Sequence, residues 1–422
     1  MRVEVHNNNF LLYSVMFLVL VYVARIQELF IFLAPFHVGK VSILLALLLF
    51  FSVPKHKTGA PLLKINQVKM VLAILALCII SVPFSVYKSQ SFEMAVLGFP
   101  RTILFYLLLV YAVNTFQDLR KMVWVFIAGA LLLALFTILG GTSQGGRMSA
   151  SGTYDPNDIA MLFVIALPIV YFFMSSRKGF AKVILFGTLL TLLFAFILTV
   201  SRGGFIGLMV IALLILFKDK GRSWVVKLAV LAVLTLAFIQ FAPDTYWDRM
   251  KTIMSEDDYN VTAEYGRKQL WLRGLGLMLD NPVTGVGAGA FVTGLGYSFG
   301  DTGGKWLTAH NAFVQIGAEL GVGGFALFIL LILTSIRWMR RLQKKYASRS
   351  GDFKDHFWLI TALEVSLWGY VATAMFLSAA YFAMFYFLIA LCCILRKLDL
   401  MEGFQSQSAV DGHALQPAGV KA

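Results

Sequence analysis

Charged residues are scarce in this 422-residue chain, at 14% against about 25% in an average soluble domain. The shortage falls hardest on one sign, with 22 acidic against 36 basic residues and a formal net charge of +14. Cysteine is nearly absent. Cys78, Cys392 and Cys393 all lie inside apolar runs, which excludes a disulfide framework and leaves three buried apolar thiols. Metal and nucleotide motifs are missing too. There is no His-Glu-x-x-His zinc pattern and no Asp-x-Asp pair for a metal-held nucleotide sugar. "GDTGGKW" at 300–306 has the wrong spacing for a phosphate loop and places Trp306 where Ser or Thr is needed. "SEDDY" from Ser255 reads as solvated acidic loop. No nucleic-acid-binding pattern occurs, so the positive charge belongs to topology and anionic lipid headgroups.

What the chain does contain is hydrocarbon. It is 59% hydrophobic, and the excess is arranged in blocks of roughly 18–22 apolar residues, the length that crosses a bilayer core. The first block, from Phe10, lacks a basic leader and a small-residue cleavage site, so it reads as a retained span. The fold expected is an all-α polytopic membrane protein of about twelve transmembrane helices. They are placed at 10–33, 40–54, 67–86, 95–114, 119–140, 157–174, 180–200, 203–217, 224–242, 311–336, 357–377 and 379–395. Lys and Arg accumulate in cytoplasmic loops. With the N-terminus inside, the even-numbered loops collect the basic residues, among them Lys55, Lys57, Arg120, Lys121, Arg177, Lys178, Lys218, Lys220, Arg340, Arg341, Lys344 and Lys345. Both termini are therefore expected in the cytoplasm. Three regions follow: N-terminal helices at 1–149, a transmembrane region at 150–395, and a cytoplasmic tail at 396–422, polar and expected to be disordered from Gly403.

One loop is too long to be a linker. Residues 243–310, between spans 9 and 10, face outward, and loops beyond about 15 residues are commonly functional. "AEYGRKQLWLRGLGLMLDNP" within it places Leu270, Trp271, Leu275 and Met278 near helical spacing. This predicts an amphipathic helix at the outer interface, ending at Asn281-Pro282, with Trp271 as its anchor. The "GVGAGAFVTGLG" run at 285–296 reads as a flexible or tightly turning loop.

Polar residues inside apolar spans mark the candidate site. A helix starting near Asn311 lines Asn311, Gln315 and Glu319 along one stripe, with Glu319 about 12 Å below the outer surface. Such a stripe suggests a hydrated cavity; an interhelical hydrogen-bond seam is the plainer alternative. Gly317, Gly321 and Gly324 fit close helix packing. His310 precedes the stripe. In "LTVSRGGFIGL", Arg202 stands in a minimal outer turn beside Ser201, Gly203 and Gly204, where helix N–H groups and a guanidinium could bind an anion. Arg267 lies one turn before Trp271, with Glu264 as an ordinary salt-bridge alternative. Arg25 and Glu28 are expected to pair near the outer face of the first span. In "SGTYDPNDIA", Asp155 is expected as an N-cap with Pro156 at the first helical position. Arg147 and Asn157 remain weaker candidates for substrate contact.

These pieces together resemble the O-antigen ligase and polymerase superfamily of bacterial envelope glycan enzymes. The likeness rests on "SRGG" between two spans, "YGRKQLW…NPVTGVGAGAF" in the long loop, "AHNAFVQIGAELGVGGF" opening the next span and "FLSAAYF" at 376–382, over roughly residues 150–395. The resemblance implies a glycosyltransferase of the inner membrane. Its donor would be a glycan on undecaprenyl diphosphate, and its acceptor a hydroxyl of a glycan, lipid A core or protein at the periplasmic face. It further implies inversion, no ATP, no metal and no cofactor, with envelope polysaccharide assembly proteins as partners and no nucleic acid. By motif position, Arg202 and Arg267 would bind the diphosphate and His310 would act on the acceptor hydroxyl. Asn311, Gln315, Glu319, Trp271, Arg147 and Arg25 are the substrate-binding candidates around them. The motifs do not separate polymerase from ligase. A lipid-linked oligosaccharide flippase would instead predict inverted repeats and midplane charges, and a scaffold of an envelope complex would predict no chemistry.

Overall fold

The structure is a computed structural model that describes residues 9–52, 62–144, 146–150, 154–219, 266–299, 307–347 and 353–414, with the isolated positions 223–225, 227, 239–240 and 246–247. It is a helical bundle: α1 (Asn9–Ala24), α2 (Val38–Ser52), α3 (Asn66–Ser81), α4 (Lys88–Ala112), α5 (Phe116–Leu139), α6 (Pro156–Ser175), α7 (Gly179–Leu198), α8 (Arg202–Lys218), α9 (Arg267–Asp280), α10 (Phe291–Phe299), α11 (Ala312–Ala347), α12 (Phe353–Ala374) and α13 (Ala383–Ala414). A two-stranded antiparallel hairpin, β1 (Thr142–Gln144) with β2 (Arg147–Ser149), interrupts the helices. Among the described residues, seven helices are long and apolar enough to cross a membrane, and α1 and α2 are shorter apolar helices. The protein is thus an all-α polytopic membrane protein. The expected ninth span at 224–242 lies almost wholly outside the described residues.

Several spans depart from expectation at their ends, the first and the last most of all. The first stops at Ala24, not residue 33, because Arg25 adopts a left-handed conformation (φ 50°) and the chain turns through Ile26–Leu29 and a 3₁₀ segment, Ile31–Phe36. The last does not stop at 395. It continues as α13 to Ala414, so the expected disorder from Gly403 is replaced, up to Ala414, by helix. Propagation adds one hydrogen bond per residue once a helix is nucleated, which lets a long apolar span carry a polar extension.

The core is built on α6, α8 and α12. Gly207 on α8 leaves room for Thr373 of α12, and Gly369 of α12 for Val164 of α6. A methyl at either glycine would meet those side chains at 2.3 and 2.9 Å. In hydrocarbon, where helices gain little from the hydrophobic effect, such close approach supplies the dispersion contacts that hold spans together. Ser366 adds a hydrogen bond from its hydroxyl to the Ile165 carbonyl, 2.7 Å.

The basic loops converge at one end of this bundle. Glu364, fully buried, accepts from Lys218 (2.7 Å), Arg340 (2.8 Å) and Gln343 (2.6 Å). Asp355 pairs with both Arg120 (3.4 Å) and Arg177 (3.3 Å). Lys345 reaches Asp399. Loops 4, 6, 8 and 10 and the start of the C-terminal region therefore share one side, as their charge pattern requires.

Candidate active site

The opposite end of the bundle holds the candidate residues, and its backbone is strained there. Among the described residues, four that are not glycine have positive φ: Arg25 (50°), His37 (45°), Val200 (48°) and His310 (44°). Each such conformation costs on the order of 1–3 kcal/mol and persists only where its surroundings hold it. Val200 directly precedes the turn that carries Arg202. His310 is itself a candidate.

The organising element is the corner at 376–382, between α12 and α13. Phe376 packs its Cβ onto Gly203 beside Arg202, at 2.8 Å from where a methyl there would sit. Its ring centroid is 6.1 Å from that of Trp271. Two residues on, the Ser378 hydroxyl oxygen accepts the His310 backbone N–H at 2.9 Å. The Ala380 N–H donates to Gln315 Oε1 at 3.3 Å, and Tyr381 lies in the field of Glu319. One short segment thus touches the Arg202 turn, the Arg267 helix, His310 and the polar stripe.

His310 is placed by these contacts. Its Nε2 stands 3.2 Å from the Thr308 hydroxyl, and Trp271 Nε1 donates to the neighbouring Ala309 carbonyl at 3.1 Å. Burial pushes the imidazole below the usual histidine value. The Arg267 guanidinium acts in the same direction, and Asp155 opposes them. Arg267 opens α9, one turn before Trp271, so the predicted helix is present.

The Arg202 turn is tied down from another direction. Asn157 Oδ1 accepts from Arg147 Nη2 (2.7 Å) and from the Ser201 hydroxyl (2.8 Å), while Arg147 Nε donates to the Thr199 carbonyl (3.2 Å). Asp155 caps α6 by accepting the Asn157 N–H at 2.7 Å. The expected cap is present, and Arg147 with Asn157 forms a brace. The open anion nest expected at Ser201-Gly203-Gly204 is corrected: Gly203 and Gly204 are buried, and the Gly204 N–H donates to Ser201 Oγ at 3.2 Å. Arg202 itself, half-buried, opens α8.

The polar stripe is a seam in the structure, which corrects the reading of a hydrated cavity along it. Asn311, 3% exposed, caps α11 by accepting the Phe313 and Val314 N–H groups (2.9 and 3.1 Å). Glu319, 2% exposed, accepts the Gly289 N–H at 2.8 Å. The glycine run that follows α9 lies against this helix, with Val286 N–H on the Ala318 carbonyl (2.8 Å) and Gly287 N–H on the Glu319 carbonyl (3.1 Å). The run is tight rather than flexible, and its second half is helix α10. Gly321 (φ 69°) breaks α11, and a side chain there would meet the Pro282 carbonyl oxygen at 2.4 Å. Its role is a kink and a backbone approach, where the spacing suggested helix packing. Trp271 is likewise turned inward to Ala309 and Phe376, not outward as a lipid anchor.

A cavity of about 440 Å³ does exist beside the corner, lined by Arg25, Glu28, Lys40, Arg101, Tyr154 and Phe382 among others. The Arg25–Glu28 pair forms as expected (2.9 Å), and Arg25 sits over the Tyr154 ring at 4.1 Å. Arg101 was legible as an arginine within an apolar span. Lys40, Tyr154, Thr308 and Ser378 carried no sequence signal, because their roles depend on which loops meet.

Residues 187–329 match the family model described as O-antigen ligase, a range that contains Arg202, Arg267, His310 and the stripe. No curated protein matches the chain. Over that segment, about a third of its length, the chain is similar to the O-antigen ligase family.

Proposed function

We propose that the protein transfers a glycan from a polyprenyl diphosphate carrier to an acceptor hydroxyl at the outer face of the inner membrane, with inversion. In this reading the acceptor oxygen attacks the anomeric carbon, its proton passes to His310, and the sugar–phosphate C–O bond breaks with its electron pair leaving on the diphosphate. Arg202 and Arg267 stabilise the negative charge that the leaving group gains, the task a soluble transferase commonly gives to a metal ion. The carrying observation is the environment of His310. A strained backbone held by Ser378 aims it, and burial beside Arg267 keeps its imidazole neutral and able to accept a proton. A histidine meant to clamp phosphate as a cation would gain from the opposite shift.

The test is direct. Purified protein is incubated with a polyprenyl-diphosphate oligosaccharide, and released carrier diphosphate and lengthened or acceptor-linked glycans are followed. Release coupled to glycan transfer, unaffected by EDTA, is the expected result; transport without bond cleavage would defeat the proposal. Products built on carrier-linked glycan indicate a polymerase, and products on lipid A core or protein a ligase.

A further inference from the structure

We propose that the cavity between α1, α2 and α4 is a second anion site, which holds the phosphate of a membrane-borne lipid headgroup. Three cations line it, Arg25, Lys40 and Arg101, against a single carboxylate, Glu28. Glu28 is committed to Arg25. Among the described residues, neither Arg101 nor Lys40 makes a side-chain hydrogen bond or ion pair, and both are exposed to the cavity or its mouth.

The position of Arg101 makes the absence of a partner costly. It lies inside the expected span 95–114, about 9 Å along the helix from residue 95 by the helical rise. The Lys88 end is the outer one, because Val86 just before it donates to the Val286 carbonyl at 3.1 Å. A cation within an apolar span is unfavourable unless it meets water or a counter-charge. Tyr22, on which both Arg101 and Arg25 act electrostatically, places the two guanidiniums around one volume. About 440 Å³ is ample for a phosphate or diphosphate group and falls within the ordinary range of ligand pockets.

A lipid source is favoured by the mouth of the cavity. The turn joining α1 to α2 carries Ile31, Phe32 and Phe36, which are 82, 69 and 66% exposed. Such side chains belong in the bilayer, so a headgroup can reach the cations sideways while its chain stays in hydrocarbon. The strained residues Arg25 and His37 both line this volume. Phe382 forms its back wall, four residues along the same corner from the serine that holds His310. Two phosphate-bearing substrates could thus stand beside one corner. That last step rests on the transferase reading; binding itself does not.

The experiment measures retention of lipids by the full chain in phosphatidylcholine nanodiscs, using native mass spectrometry. The probes are a polyprenyl monophosphate, phosphatidic acid and inorganic phosphate. Wild type should retain both lipid phosphates over phosphatidylcholine. Arg101→Gln and Lys40→Gln should each weaken retention about tenfold, the order expected for losing a charge-assisted hydrogen bond. Arg101→Lys should keep most of it. Lys40 is exposed, so its variant carries the test should Arg101→Gln fail to accumulate. Unchanged retention in both Gln variants would overturn the site. Displacement by inorganic phosphate at the same concentration as the lipids would overturn the lipid source. A protein that retains lipid phosphate but transfers no glycan would refute the transferase reading and leave this site standing.

Discussion

His310 carries the most specific expectation at the scale of single residues. Its pKa lies below the ordinary 6.5, through burial first and Arg267 second. A general base must be neutral, so turnover should be flat near neutrality and fall only as pH drops below about 6.5, where imidazolium accumulates. His310→Ala should lose about 10²–10⁴-fold in the chemical step while donor binding persists. Single-turnover rates and donor binding measured across that range decide it; weakened binding with an intact chemical step would make His310 a phosphate ligand. The arginines predict a different pattern. Arg202→Ala and Arg267→Ala should abolish transfer while the protein still accumulates in the membrane. Lys should rescue little, because it lacks the paired donors of guanidinium. Wild-type activity in Arg202→Lys would return that residue to the part of a membrane-surface anchor.

At the scale of elements, the loop after α9 is held to α11 by backbone, and glycine makes that possible. Gly321 lets the Val322 N–H reach the Pro282 carbonyl at 2.9 Å. Gly287 (φ 104°) brings the loop onto Ser85, where an added methyl would lie 2.2 Å from the hydroxyl oxygen. Gly321→Ala combines an unfavourable φ with a clash against a carbonyl that cannot swing aside. It should lower the melting temperature in detergent, by an amount corresponding to about 1–3 kcal/mol. It should also reduce transfer, because the same helix begins at the residue after Asn311. A stable, fully active Gly321→Ala would show that the kink is dispensable.

Across the whole molecule, the candidate site and the clustered charge separate to opposite ends. Glu364 and Asp355 gather basic side chains from four loops at one end, while His310, the Arg202 turn and the 376–382 corner meet at the other. In a variant without Cys78, Cys392 and Cys393, Tyr297→Cys (82% exposed in wild type) should react with an impermeant thiol reagent from outside. Lys178→Cys and Lys344→Cys should stay protected until the membrane is opened. Labelling of position 178 in intact cells would invert the orientation and remove the outer-face site with it.

The sequence by itself determined the class of the molecule. Block length, the asymmetry of Lys and Arg, and the cap at Asp155 are local properties that need no knowledge of neighbours. His310, Arg202 and Arg267 were legible for a related reason, since each departs from an otherwise simple apolar or amphipathic context. Only the tertiary structure decided what those residues face. Asn311, Gln315 and Glu319 present the same spacing whether they line water or a seam, and the choice fell to the glycine loop that lies against them. Arg25 and Arg101 are far apart in the chain, and α1 and α4 must pack before they share a cavity. The corner at 376–382 has little pattern of its own. Its importance comes from long-range contacts, which no periodicity within a single segment can encode.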